Sequence, residues 1–145
     1  MSHRWRARDN RGSVSVELAI LTPLFVLLIV MAIVFGRTAI ATNAIDVAAH
    51  DAARAASISR TESTAAANAR SAALEALDHQ GLDCAEEPQI DPDVSGFARN
   101  DLELVFVSVT ITCEVSFADI ALPGIPLSRT VQATFISPID IFRER

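Results

Sequence analysis

Apolar positions follow three different patterns along the chain. From Leu18 to Gly36, LAILTPLFVLLIVMAIVFG, 19 residues pass without a charge. At 1.5 Å rise per residue a helix of that length covers roughly the 30 Å hydrocarbon thickness of a bilayer, so the run predicts a transmembrane helix over residues 13–37. From Thr38 to Gln80 there is neither Gly nor Pro, and alanine dominates. Alanine is the strongest helix former, which predicts an outward helical stalk over 38–80. Within it Ile40, Ala44, Val47, Ala48 and Ala52 recur at helical spacing as a narrow stripe of mostly small residues. The stripe suits close packing, either on the chain's own β portion or on another subunit.

The helical pattern loosens at SISRTEST, where Ser59 and Glu62 have the spacing of a capping box. That predicts a second helix starting near Arg60, anchored by Leu74 and Leu77 and stopped at Gly81 by a left-handed cap. One unbroken helix is the other reading of the same residues. Turn signals follow in CAEEPQIDPDVSGFARND, and then LELVFVSVTITCEVSF alternates strictly. Val105, Val107, Val109, Ile111, Cys113, Val115 and Phe117 share one face, and Ser108, Thr110, Thr112, Glu114 and Ser116 the other. SRTVQATFIS alternates again through Val131, Ala133 and Phe135 until Pro138. The two runs predict a hairpin with a long loop, one face buried and one wet, with a third strand expected near Leu82 to Ala85. The expected fold class is α+β: a long N-terminal helix, a second helix, then a small antiparallel sheet dominated by the C-terminal hairpin over 81–145.

Composition sharpens this layout. Half of the 145 residues are hydrophobic, and a mean hydropathy of +0.32 is high for a chain with no membrane segment. Arginine supplies all 12 positive charges against 18 acidic residues. Four of those arginines, Arg4, Arg6, Arg8 and Arg11, stand in the first twelve residues with only Asp9 opposing them. By the positive-inside tendency this basic leader, 1–12, stays cytoplasmic and everything beyond Gly36 faces outward from the cytoplasmic membrane. The outward portion is acidic, which argues against nucleic acid as a partner. Cys84 and Cys113 both lie on the outward side, where an oxidising compartment favours a disulfide; two buried thiols are the alternative.

Nothing in the sequence assembles into a catalytic constellation, and the chain reads as non-enzymatic with no cofactor. His3, His50 and His79 lie far apart without metal-ligand spacing. His50 and Asp51, adjacent on a helix, point to different faces. The carboxylates of CAEEPQIDPD lack the spacing of a calcium loop. The informative feature is the junction RGSVSVELAI. There, Glu17 sits one residue ahead of the apolar run, either as its polar edge or as a carboxylate that needs a partner near the membrane. A basic leader, Gly12, a glutamate at the fifth position from Ser13 and an uninterrupted apolar helix together form the arrangement that prepilin peptidases read.

RGSVSVELAILTPLFVLLIVMAIVFGR resembles the N-terminal segment of TadE-like pseudopilins, minor pilin-like proteins of tight-adherence pilus systems in the type IV pilin superfamily. The resemblance rests on Arg11, Gly12, Val16, Glu17, Pro23, Gly36 and Arg37. VTITCEVSFADIALPGIPLSRTVQATFISP is similar to that family's C-terminal hairpin, with the Leu122 to Pro126 turn in its loop. Leu18 departs from the pattern, standing where an aromatic residue often follows the glutamate. The resemblance implies a pilin-like fold and a single-pass subunit used in pilus assembly. It further implies cleavage between Gly12 and Ser13 by a prepilin peptidase, and contact of Glu17 with a neighbouring subunit. Its partners would be the membrane, other pilin-like subunits and the assembly platform. The competing expectation is a secreted domain with a signal peptide cleaved after Ala41, since Ala39-Ile40-Ala41 fits the A-x-A rule; a 19-residue apolar core is long for that role.

Overall fold

The computed structural model describes residues 11–98, 105–118 and 128–139, with side chains from residue 15 onward. The basic leader before Arg11 and the Leu122 to Pro126 turn lie outside the described residues. Two compact units divide the chain, Met1–Phe35 and Gly36–Arg145. The elements run in the order expected of an α+β chain: helix α1 (Arg11–Ser57), helix α2 (Glu62–His79), strand β1 (Gln89–Asp93), a short 3-10 turn (Ser95–Ala98), strand β2 (Phe106–Ser116) and strand β3 (Ser128–Pro138).

Helix α1 is one 47-residue element, and at 1.5 Å per residue it is about 70 Å long, more than twice the bilayer core. It ends where hydroxyl side chains take over the last carbonyls. Ser57 Oγ donates to the Arg54 carbonyl at 2.9 Å and Ser59 Oγ to the Ala55 carbonyl at 2.9 Å. Hydroxyl residues offer the backbone such local alternatives to a continuing helix, so the chain forms two helices. The N-cap of α2 is Thr61, whose side chain and that of Thr64 form the reciprocal capping box. The expected pair was Ser59 and Glu62. Ser59 is instead buried in the turn and accepts a hydrogen bond from Asn68 Nδ2 at 3.0 Å. The stop is as expected: Gly81 takes φ 62°. Its N–H reaches the Asp78 carbonyl and the N–H of Leu82 the Leu77 carbonyl, the two bonds of a Schellman cap.

The sheet has the order β1-β2-β3 with both pairs antiparallel. β2 and β3 form the expected hairpin, in register from Phe106↔Pro138 to Ser116↔Ser128. Burial alternates strictly along β2, as its sequence predicts. On the wet face Thr110 and Thr134 pair through their hydroxyls at 2.8 Å. The third strand is not at Leu82 to Ala85. Among the described residues that segment makes one ladder-like bond, Ala85 N–H to the Glu114 carbonyl at 2.7 Å, and β1 forms downstream at QIDPD, paired through Gln89↔Thr112 to Asp93↔Ser108. Pro92 reads as a turn signal, yet an edge strand tolerates proline because one side of its backbone has no strand to bond. Asp93 ends β1 by accepting the Ser95 N–H at 3.0 Å, and its hydrogen bonds with Ser95 hold its carboxyl below the ordinary aspartate range.

The core of the 36–145 unit joins small residues on the helices to branched residues on the sheet. On α1 the buried set is Ala41, Ala44, Ile45, Ala48, Ala49, Ala52, Ala53 and Ala56. This is the predicted stripe turned about the helix axis: Ile40, expected within it, is 69% exposed and Val47 is half-buried. α2 contributes Ala65, Ala69, Ala73, Ala76 and Leu77. Opposite in kind are Val107, Val109 and Ile111 of β2, all fully buried. Burying each such branched side chain contributes about 1.5 to 3 kcal/mol. Alanine faces let helix backbones come close, so the bulk of the core is supplied by β2.

Candidate membrane and assembly helix

The candidate functional element is the N-terminal part of α1. Arg11, Gly12 and Ser13 fall in its first turn. Val16 and Glu17 follow on the same helix with exposed side chains, and Leu18 opens the apolar run. An 18-residue window of this helix has a mean hydropathy of 3.0 and none of it is buried within the chain. Leu18, Ile20, Phe25, Leu28, Ile29 and Phe35 are all more than half exposed. A soluble fold would cover that much apolar surface, so the segment is long and apolar enough to be a membrane span.

Two polar features within the run are handled locally. Thr22 Oγ1 donates to the Leu18 carbonyl at 2.6 Å, so its hydroxyl is satisfied by the helix itself. Pro23 lies inside the helix and lacks the N–H that would reach the carbonyl four residues back, at Ala19. The helix nevertheless continues unbroken through it to Ser57. Gly36 closes the run, and a Cβ added there would meet nothing within 4 Å. Arg37 follows as the first charge after the span.

The other predicted residues lie in the second unit. Cys84 and Cys113 are joined in a disulfide with Cα atoms 5.5 Å apart, across 29 residues of sequence. Cys113 sits on the buried face of β2, where the alternation places it. His50 and Asp51, expected on different faces of the helix, do meet: His50 Nδ1 lies 3.2 Å from Asp51 Oδ1. The same imidazole stands edge-on to Phe135, with ring centroids 4.6 Å apart, tying α1 to β3. Both side chains of the pair are about half exposed, and their role is structural contact at the rim of the core. Sequence periodicity missed Phe135 as this partner because the contact joins elements 85 positions apart. Among the described residues no group of His, Cys, Asp or Glu is arranged to hold a metal ion.

Residues 12–54 match the family model described as TadE-like protein, so this segment is similar to that family. The matched segment begins at Gly12 and contains Val16, Glu17, Pro23, Gly36 and Arg37. No curated protein matches the chain, and no solved structure does.

Proposed function

We propose that this TadE-like chain is a pseudopilin, a non-enzymatic, single-pass subunit that acts in assembly of a tight-adherence, type IVb-like pilus. The observation that carries the reading is the coincidence of the TadE-like match over 12–54 with an exposed, charge-free helical run headed by Glu17. In this reading the helix is held in the cytoplasmic membrane with the arginine-rich leader inside and the 36–145 unit outside. The charge asymmetry supports that orientation, and the Cys84–Cys113 disulfide suits an oxidising compartment. A prepilin peptidase would cut between Gly12 and Ser13. The new amino group of Ser13 would then lie near the membrane surface, where Glu17 of an adjacent subunit neutralises it as helices associate. A carboxylate pushed toward the bilayer centre costs about 2.5 to 3.5 kcal/mol on insertion scales, so pairing gives the association a direction.

The secreted alternative places a cut after Ala41. Ala41 is 1% exposed and lies inside an unbroken helix whose next buried residues are Ala44 and Ile45. Cleavage there would remove a core residue, which disfavours that reading. Mass spectrometry of the N-terminus of the protein extracted from membranes tests both. A start at Ser13 is expected. Retention of Met1 would remove processing from the proposal and leave an uncleaved anchor, and a start at Thr42 would overturn membrane anchoring altogether.

A further inference from the structure

Two surfaces of the 36–145 unit complement each other and lie at opposite ends of α2. The first is a groove of about 430 Å³ between the end of α2 and the connection that follows it. Its apolar lining comes from Leu74, Leu77 and Leu82, and Leu74 is 49% exposed. Its charged lining is Asp78, Asp83, Glu86 and Glu87, with no cation lining it among the described residues. Arg70 precedes Leu74 by one helical turn and does not line the groove.

The second surface is the turn between α1 and α2. Ile58 is 57% exposed and is bracketed by the exposed Arg54 and Arg60. Among the described residues outside the apolar run, it is the exposed large apolar side chain with an arginine on each side. An apolar knob between two cations matches a leucine groove rimmed by carboxylates in both shape class and charge. Helix α2 has 18 residues, so the knob at its start and the groove at its end are about 27 Å apart along the helix. A chain therefore does not fill its own groove with its own knob.

We propose that the groove receives the Ile58 knob of a second copy of this chain, with Arg54 and Arg60 facing the carboxylates of the rim. The contact is heterologous: each copy presents a knob at one end and a groove at the other. Such contacts propagate from copy to copy unless the rotation between them closes a ring. The pairing is electrostatically biased, so it weakens as salt is raised. It rests on the subunit reading above for its biological sense, and it deepens that reading by supplying a contact made outside the membrane.

The test uses the full chain in detergent micelles, with Ile58→p-benzoylphenylalanine, in an equal mixture of unlabelled and nitrogen-15-labelled copies. Illumination is expected to join position 58 of one copy to a peptide within residues 74–88 of the other. Charge reversal by Arg54→Glu with Arg60→Glu is expected to lower the mixed crosslink by about fivefold or more, and a partner carrying Asp78→Arg with Asp83→Arg to recover most of it. All these side chains are exposed, and far-UV circular dichroism together with retention of the disulfide checks that each variant is folded. The proposal is overturned by absence of the mixed product, by crosslinks joining two positions 58 or reaching the span, or by a yield that charge reversal leaves unchanged. Because the purified chain is the only protein present, that failure is separate from failure of membrane anchoring or processing, which the N-terminus reads.

Discussion

At the scale of single residues, the tightest constraint among the described glycines falls on Gly96. A Cβ built there would collide with the Phe106 carbonyl oxygen and lie 2.6 Å from Val105 Cγ1. The first of these is backbone at the start of β2 and has little freedom to move. Gly96→Ala is therefore expected to destabilise the unit by about 1 to 3 kcal/mol, the usual range for overpacking. Urea unfolding of the full chain in detergent, followed by circular dichroism, measures this. Gly36→Ala, inside α1 with open space around its position, is the matched control: it should not destabilise, and its helix-propensity gain is at most about 1 kcal/mol. The sequence around Gly96 carries no such message, since the close approach joins it to a strand ten positions away.

At the scale of elements, the disulfide ties the connection after α2 to the middle of the sheet. It closes a loop across 29 residues that contains β1 and the 3-10 turn. Reduction with a dithiol, or Cys84→Ser with Cys113→Ser, is expected to cost on the order of 3 kcal/mol by the loop-entropy model. The same urea titration with and without reductant checks it, and the reduced protein and the double variant should agree. Legibility in the sequence divides along the same lines. β2 is legible because a period-2 pattern over eleven residues leaves one face to bury, and Cys113 inherits its place from that pattern; along β3 the expected face buries only Val131 and Ala133, and Phe135 is 38% exposed, with its ring against His50. α1 was readable from its charge-free run. β1 is hidden because Pro88 precedes it and Pro92 lies within it, and only pairing with β2 makes it a strand. The capping box shifted by two residues because Ser59 satisfies the end of α1, leaving Thr61 to begin α2. Likewise, with alanine at so many positions of α1, the pattern alone does not distinguish which side faces the core.

At the scale of the whole molecule, one chain combines an exposed apolar helical run with a disulfide-bonded α+β unit. If Glu17 serves association, its removal should separate two properties that ordinary misfolding would lose together. Glu17→Ala is expected to leave membrane insertion and the disulfide intact while weakening association between copies by about 1 to 2 kcal/mol, the scale of a polar contact between membrane helices. Carbonate extraction reads the first property, and co-purification of two differently tagged copies reads the second. Unchanged co-purification would reduce Glu17 to the polar edge of the span.

Pro92 carries a consequence for crowding. On the proposed reading, copies standing side by side on a membrane meet a particular hazard, in which the outer rim of one sheet templates a strand of the next and neighbours fuse without order. On the rim formed by β1, Pro92 pairs with Val109 of β2, and a proline fits an edge strand only with its missing N–H directed away from that neighbour. The rim thus lacks a donor at the fourth position of a strand of only five residues. The residue that disguises β1 as a turn also makes it a poor seed for runaway sheet growth.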